Sequence, residues 1–247
     1  MKTFIFLLFF TAICITSYAD GYWLEVSGKH RINDSVTVKV CYGGVNDSSG
    51  RYYKTADQLN KLKGFAVWGI DPKGVRFQIP IHQTNDCWVG SFKASYEGYY
   101  QILGIHESLP VVKRAEGTGA DIRPIQYLRS FYAVGNAPAD SFFSSGQFAD
   151  MKVLAENKQV NIQVFFKQLP APRDTKLRIF NPENWEKLPV TDKEGNAFFI
   201  PTMKGLYIIR ADYYDNTPGS VNGDPYSGTR HRFDFSFQSD PLIDQSK

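Results

Sequence analysis

The chain has 247 residues and a formal net charge of +3, and 43% of its residues are hydrophobic. This charge is too balanced to indicate nucleic acid or a lipid surface as the partner. The length is sufficient for two small domains, each with its own apolar core.

The first 19 residues have the features of a secretory signal peptide. A positive start precedes an apolar run over residues 4–15, which is shorter than the roughly 20 residues that a membrane-spanning helix needs. Ser17 and Ala19 form an A-x-A-like cleavage site, so the mature chain would begin at Asp20. We therefore expect a periplasmic or secreted protein with no membrane span after cleavage.

Two cysteines, Cys41 and Cys87, lie in the predicted mature chain. An oxidising compartment would permit a disulfide bond between them, and two free buried thiols are the alternative. Their spacing is not that of a C-x-x-C motif, so it does not indicate redox or zinc chemistry.

Short runs of β-branched and aromatic residues, separated by Gly, Pro, Asn and Asp, predict an all-β fold. In one run, Val36, Val38 and Val40 alternate with other residues, as expected for a half-buried strand. The segments 161–166, 175–181 and 230–237 show the same alternation. The only predicted helix is a short one over residues 55–62.

Two tandem β-sandwich domains are indicated by a G-x-Y-x-I pattern that occurs once in each half of the chain. We predict an N-terminal sandwich over residues 20–136, a linker over 137–150 that is rich in Ala, Pro, Ser and Gly, a C-terminal sandwich over 151–240, and a tail over 241–247. The repeated residues are Gly98, Tyr100 and Ile102, and then Gly205, Tyr207 and Ile209.

With the strands placed, the chain resembles a secreted family of unknown function that is often described as a periplasmic nickel or cobalt uptake accessory component. That family opens with an A-H-x-[FY]-W-L strand and carries a prealbumin-like second sandwich with a T-D-x-x-G turn followed by P-G-x-Y. The matching residues are Ala19, Tyr22, Trp23, Leu24, Thr191, Asp192, Gly195, Gly205 and Tyr207.

The resemblance implies a divalent transition metal, nickel or cobalt, and a membrane uptake component as partner. Where the family has its histidine after the cleavage site, this chain has Asp20, which offers a carboxylate and a free amine. Side chains at strand ends can converge at one rim of a sandwich, so Asp20, His82 and His106 form the predicted metal site. The alternation of residues 230–237 places His231 with core phenylalanines instead.

A different class of function is indicated by exposed aromatic residues. Trp185 lies in a polar turn, where it would be a binding platform or would fold back over a sheet edge. The segment 213–230 is interpreted as a long loop, and such loops often carry function. A carbohydrate or protein ligand would contact Trp185, Tyr213, Tyr214 and Tyr226.

No nucleophile elbow, zinc-protease motif or phosphate-binding loop occurs in the sequence. We therefore predict a non-enzymatic binding protein. It would be an accessory component of transition-metal uptake or, as the alternative, a carbohydrate- or protein-binding module at the cell surface.

Overall fold

A computed structural model describes residues 20–45, 50–114, 119–135, 142–156 and 158–239. The predicted signal peptide and tail, and residues 137–141 of the predicted linker, lie outside the described residues. The fold is all-β, with sheets packed face to face, so the predicted sandwich class is confirmed. Within the described residues, no helix combines the length and the apolar composition needed to cross a membrane.

The described residues of the first half form nine strands and a short 3-10 helix. They are β1 (Asp20–Ser27), β2 (Asp34–Gly44), β3 (Tyr52–Tyr53), the helix (Ala56–Leu62), β4 (Ala66–Ile70), β5 (Arg76–Gln78), β6 (Ile81–Gln83), β7 (Trp88–Ala94), β8 (Gly98–His106) and β9 (Ile122–Val134). The predicted short helix is therefore present. It packs two buried side chains, Leu59 and Leu62, against the first core.

The second half forms ten further strands. They are β10 (Ala149–Glu156), β11 (Gln159–Phe166), β12 (Leu169–Pro170), β13 (Leu177–Phe180), β14 (Glu186–Lys187), β15 (Asn196–Phe199), β16 (Leu206–Asp215), β17 (Gly219–Val221), β18 (Asp224–Tyr226) and β19 (Gly228–Gln238).

The strands form three layers. The central sheet has the order β14-β13-β16-β19-β9-β8-β4-β5. The first outer sheet consists of β1-β2-β7-β6 with β3 beside β2, and the second outer sheet consists of β10-β11-β12 with β15 beside β11. β17 and β18 form a separate hairpin.

Alternate residues of a central strand point to opposite faces of the sheet, and an outer sheet covers each face. On β9, Leu128, Tyr132 and Val134 join the core under the first outer sheet. Ile125 and Tyr127, from the same strand, join the core under the second outer sheet. The two sandwiches thus share their middle layer.

The two halves are joined by a parallel pairing of β9 with β19, in which Ile122 lies opposite Gly228 and Arg129 opposite Phe235. Hydrogen bonds of the central sheet therefore cross from the region 20–136 into the region 151–240. The division into these two domains stays a prediction, and the structure adds that they are in contact strand to strand.

The repeated sequence pattern corresponds to a repeated structural unit. Gly98 and Gly205 adopt φ values of +130° and +128°, which favour glycine. A Cβ atom would lie 2.6 Å from Pro72 at Gly98 and 2.8 Å from Pro182 at Gly205. Each glycine therefore begins its strand in close contact with a proline turn.

The tyrosines of this unit also have matching roles. The Tyr100 hydroxyl accepts a hydrogen bond from the backbone N–H of Tyr96 at 2.7 Å, and the Tyr207 hydroxyl accepts one from Met203 at 3.1 Å. In both cases the bond reaches back four residues and fixes the turn before the strand. The sequence repeat therefore corresponds to the same turn-and-strand structure at two places in the chain.

Cys41 and Cys87 are free thiols in the structure, and both are buried. Their side chains are hydrogen-bonded to each other. They lie on adjacent strands, one position beyond the paired residues Val40 and Trp88 of β2 and β7. The predicted disulfide therefore stays a prediction, with the two thiols facing each other at the end of the β2–β7 pairing.

Candidate functional site

A cleft of about 550 Å³ opens at one rim of the central sheet, where β1 begins and β8 ends. We call it the β1 cleft. Its wall is formed by β1 and β2 on one side, the end of the 3-10 helix and the segment after β8 on another, and β9 and β19 at the base. Its lining includes Asp20, Gly21, Tyr22, Tyr42, Lys61, Lys63, His106, Gln126, Arg230 and Arg232.

The base of the cleft is a polar row across neighbouring strands. Strand register places Arg232 opposite Gln126, and Gln126 opposite His106. On the other side, Arg232 lies opposite Asp212 of β16. Because directly opposed residues share a face of the sheet, these side chains form a continuous ladder of polar groups.

Arg232 is held by a bidentate ion pair. Its Nε and Nη2 atoms donate to Oδ1 and Oδ2 of Asp212 at 2.7 and 2.8 Å. Burial alone would raise the pKa of Asp212, but hydrogen bonding and the charge of Arg232 lower it below its usual value. Asp212 therefore stays ionised and neutralises one of the two arginines at the base.

A second ion pair lies deeper, and both of its side chains are fully buried. Arg210 Nε donates to Asp234 Oδ1 at 2.7 Å, and Gln126 Nε2 donates to Asp234 Oδ2 at 2.7 Å. Arg210 Nη1 and Nη2 have no hydrogen-bond partner among the described residues. A Cβ atom at Gly21 would clash with Arg210 Nη2, so glycine allows β1 to lie directly on this guanidinium.

Arg230 is the second arginine that lines the cleft. Its Nε atom is buried and has no hydrogen-bond partner within the described part of the chain. Burial and the neighbouring charge of Arg232 lower the pKa of Arg230, whereas the charge of Asp212 and a side-chain hydrogen bond with Tyr214 oppose that shift. The cleft therefore contains a half-buried guanidinium that already interacts with Tyr214 and Asp212 and whose Nε has no partner among the described residues.

Two lysines add positive charge at the mouth of the cleft. Lys61 Nζ donates to the Tyr42 hydroxyl at 3.0 Å and lies 5.2 Å from the centre of the Tyr42 ring. Lys63 is exposed. Among the described residues that line the cleft, four side chains are cationic and only Asp20 is acidic.

The Asp20 carboxylate is already engaged. It accepts hydrogen bonds from the hydroxyls of Tyr42 at 2.6 Å and Tyr52 at 3.3 Å, and Lys54 Nζ lies 3.5 Å away. Burial, followed by the Asp20 charge, raises the pKa of Tyr22 to about 12, although nearby arginines oppose the shift. The tyrosine hydroxyls around Asp20 therefore stay protonated and act as hydrogen-bond donors.

His106 places an unused acceptor in the cleft wall. Its Nε2 lies 3.1 Å from the carbonyl oxygen of Lys61, which can only accept, so the ring proton is on Nε2. Nδ1 therefore has a free lone pair, and it has no partner among the described residues. Burial lowers the pKa of His106, so the ring is neutral at pH 7.

The predicted metal residues are only partly brought together. Asp20 and His106 both line the β1 cleft. His82 is exposed on β6, which pairs with β7 in the first outer sheet, and it does not line the cleft. Throughout the described ranges, no group of three or more His, Cys, Asp or Glu side chains is placed to hold a metal ion. The structure therefore does not assemble the predicted triad.

His231 is buried, as its place in the alternation predicts. Its ring stacks on Phe148 with centroids 3.7 Å apart, and its Nδ1 lies 2.9 Å from the Tyr127 hydroxyl. Burial lowers its pKa to about 4. His231 is therefore a buried, neutral ring of the core.

The predicted aromatic surface is divided between the two ends of β16. Trp185 is 73% exposed and lies in the β13–β14 turn, beside the start of β16. Tyr214, which is 56% exposed, lies near the end of the same strand. Tyr213 packs on Phe166, with ring centroids 4.9 Å apart, and Tyr226 is half-buried.

The segment 213–230 was interpreted from the sequence as a long loop, but it contains regular β-structure. It contains the hairpin β17–β18, whose turn residues Asn222 and Gly223 have φ values of +52° and +86°. An Asn-Gly pair is a strong signal for such a turn, and it is present in the sequence. The interpretation of this segment as a loop was therefore wrong.

The arginines of the cleft were not predicted from the sequence. Arg230, Arg232 and Asp234 alternate with His231 and Phe233 along β19, a pattern that suggests one buried face and one solvated face. Both faces of β19 are in fact covered, because β1 packs over the charged face. A hydrogen bond shows this packing: the Ser236 hydroxyl donates to the carbonyl oxygen of Leu24 in β1 at 2.6 Å. Arg230 and Arg232 line a cleft only because β1 packs beside them.

No protein-family model matches the chain, and no curated protein matches it. Among solved structures, the chain is similar to the crystal structure of a DUF4785 family protein from Legionella pneumophila, with 9% sequence identity and a TM-score of 0.26. The match covers 76% of this chain and 51% of that chain, so this chain spans about half the length of its match. The resemblance to the nickel and cobalt family therefore stays a prediction.

Proposed function

We propose that this protein is a non-enzymatic binding protein of the periplasm or the extracellular space, and that the β1 cleft binds a small molecule with carboxylate or phosphate groups. The observation that carries the proposal is the excess of cationic side chains in the cleft: Lys61, Lys63, Arg230 and Arg232 accompany one acidic side chain, Asp20, among the described lining residues. An anionic ligand would be attracted to this lining and would accept charge-assisted hydrogen bonds from its guanidinium and ammonium groups.

The arrangement of the cleft fits an acidic ligand in particular. A guanidinium pairs with a carboxylate or phosphate through planar, charge-assisted hydrogen bonds. Arg230 would supply this group, because the bidentate ion pair of Asp212 is with Arg232, although Arg230 also interacts with Tyr214 and with the charge of Asp212. Lys61 and Lys63 at the mouth would attract an anion and contact its second acidic group.

The proposal is tested by calorimetric titration of the chain beginning at Asp20 with citrate and with inorganic phosphate. We expect citrate to bind, with an affinity that falls as salt is added. Arg230→Gln should weaken citrate binding at least tenfold. Arg173→Gln, which removes the same charge from an exposed loop position, should leave the affinity unchanged within twofold. No binding of either anion, or equal losses in the two variants, would refute the proposal.

A second candidate is handling of nickel or cobalt as cargo, together with a membrane uptake component. It is favoured by Asp20 and the unpartnered Nδ1 of His106, which line the same cleft. A mature amino terminus at Asp20 would add an amine ligand. The cationic lining opposes a free dication, so a metal would enter more readily as an anionic complex.

Titration with nickel and cobalt, alone and as citrate complexes, separates the two candidates. Binding of the free metal that is lost in His106→Ala, and in a copy with one extra residue before Asp20, supports metal handling. Binding of citrate with or without metal, and of neither metal alone, supports the acidic small molecule. A glycan or protein ligand at the 73% exposed Trp185 is the remaining proposal, and Trp185→Ala tests it.

A further inference from the structure

A second concave surface lies on the outer face of the second outer sheet, and its lining residues differ from those of the β1 cleft. It is an open groove of about 640 Å³ over β10, β11 and β15. Pro189, Val190 and Asp192, which precede β15, form one wall. We call it the β15 groove.

The floor of the groove consists of two cross-strand rows. Register places Leu154 opposite Asn161 and Asn161 opposite Phe198. The neighbouring row, two residues along each strand, contains Lys152, Gln163 and Asn196. Because alternate residues of a strand share a face, all six side chains point away from the core.

Phe198 is the central apolar group of this floor. Its side chain is 59% exposed, whereas the next residue, Phe199, is buried in the core. The fold therefore needs the aromatic ring at position 199 but not at 198. Leu154 on β10 and Val190 on the wall extend the apolar surface on either side of the exposed ring.

The amide side chains beside Phe198 offer both kinds of hydrogen-bonding group. The Asn161 side-chain oxygen accepts from Gln159 Nε2 at 2.6 Å, which leaves the Asn161 amide group to donate. Gln163 Nε2 donates to the carbonyl oxygen of Glu194 at 3.2 Å, which leaves the Gln163 side-chain oxygen to accept. The two amides thus present a donor and an acceptor in adjacent rows.

The groove has no excess charge. Lys152 is its cation and Asp192 its carboxylate among the described lining residues. Backbone hydrogen bonding, mainly from Asn196, lowers the pKa of Asp192, so this carboxylate is ionised at neutral pH. The lining therefore complements a neutral ligand, in contrast to the cationic β1 cleft.

We propose that the β15 groove binds a neutral polysaccharide chain. The exposed Phe198 ring would stack on the apolar C–H face of a sugar ring. Sugar hydroxyls both donate and accept hydrogen bonds, and the amides of Asn161 and Gln163 match that requirement. This is a second binding activity, and it does not depend on the ligand of the β1 cleft.

The test is native affinity electrophoresis of the chain beginning at Asp20 in gels that contain hydroxyethyl cellulose, glucomannan, xylan or polygalacturonate. We expect at least one of the three neutral polymers to retard the protein. Phe198→Ala and Asn161→Ala should weaken that retardation at least tenfold in apparent affinity. Phe198→Tyr, which keeps the ring, should retain it, and Tyr96→Ala should also retain it as an exposed-aromatic control.

Several results would overturn the proposal. They are retardation by none of the neutral polymers, retardation by polygalacturonate alone, and a loss in Tyr96→Ala equal to that in Phe198→Ala. Thermal unfolding of each variant verifies folding, and Phe198→Tyr keeps the test decisive if Phe198→Ala fails to fold. Arg230→Gln should not alter retardation, so failure of the cleft proposal and failure of the groove proposal give different results.

Discussion

At the scale of single residues, a fully buried ion pair lies between two layers of the fold. Arg210 and Asp234 have no exposed surface, yet they lie where β1 packs on the central sheet. Removal of charges from water is costly, and a buried pair repays that cost only while both partners are present. Loss of one partner should therefore be far more harmful than loss of both.

We predict that Asp234→Leu lowers the free energy of unfolding by about 3–5 kcal/mol, because Arg210 would remain buried without a counterion. The double variant Arg210→Met, Asp234→Leu should recover a large part of that loss. Urea unfolding followed by circular dichroism measures both values. A double variant less stable than Asp234→Leu would contradict this view of the pair.

His231 should make stability depend on pH. Burial lowers its pKa from an ordinary 6.5 to about 4, so between these values the unfolded chain binds more protons than the folded one. Stability should therefore fall as the pH decreases from 6.5 to 4, by about 2–3 kcal/mol from this group.

His231→Phe keeps a stacked ring and removes the titration. Its free energy of unfolding should decrease less than that of the original chain between pH 6.5 and pH 4. The comparison is made by urea unfolding at each pH. Identical pH dependence in the two proteins would show that another group, such as His106, dominates.

At the scale of strands, the alternation of apolar and polar residues with a period of two was sufficient to predict much of the structure. The alternation of Val36, Val38 and Val40 gave β2, and these side chains lie in the core. Other features carry no local signal. The parallel pairing of β9 with β19 joins strands about 100 residues apart, and no short pattern encodes such a contact.

The candidate site was predictable only in part, for the same reason. Asp20 and His106 were expected at one rim of a sandwich, and both line the β1 cleft. His82 is also near a strand end, but β6 is a short edge strand of the first outer sheet, and its histidine faces solvent. Arg230 and Arg232 became site residues only through the placement of β1 over β19.

The β2–β7 strand pair should be cross-linkable by oxidation. The pKa of Cys87 is lowered, chiefly by its hydrogen bond with Cys41, so Cys87 is the thiolate that would attack a disulfide reagent. Oxidised glutathione should convert the two thiols into one disulfide, with two molecules of reduced glutathione released. The closed loop should stabilise the protein by roughly 4 kcal/mol.

Mass spectrometry after digestion, and urea unfolding with and without reductant, check this prediction. Cys41→Ser should instead form a mixed disulfide with glutathione at Cys87 or remain reduced. Two free thiols in the original chain after oxidation under partly unfolding conditions would contradict the prediction.

At the scale of the whole molecule, the shared central sheet should make the two sandwiches unfold together. Ile162→Ala would create a cavity in the core under the second outer sheet and cost about 2–5 kcal/mol. Because β9 and β19 are hydrogen-bonded, the signal of the first sandwich should shift to the same lower urea midpoint. Two separate transitions would show that the halves unfold independently.

The most direct test of the central claim is an NMR titration that follows the arginine Nε–H signals as citrate is added. Arg230 lines the β1 cleft, so its Nε–H signal should shift in proportion to binding, together with the backbone amides of Gly21 and Gly64, which line the same cleft. The Arg173 signal should stay in place. Signals that move only at Asn161 and Phe198, or an Arg230 signal unaffected by saturating citrate, would contradict the proposed anion-binding cleft.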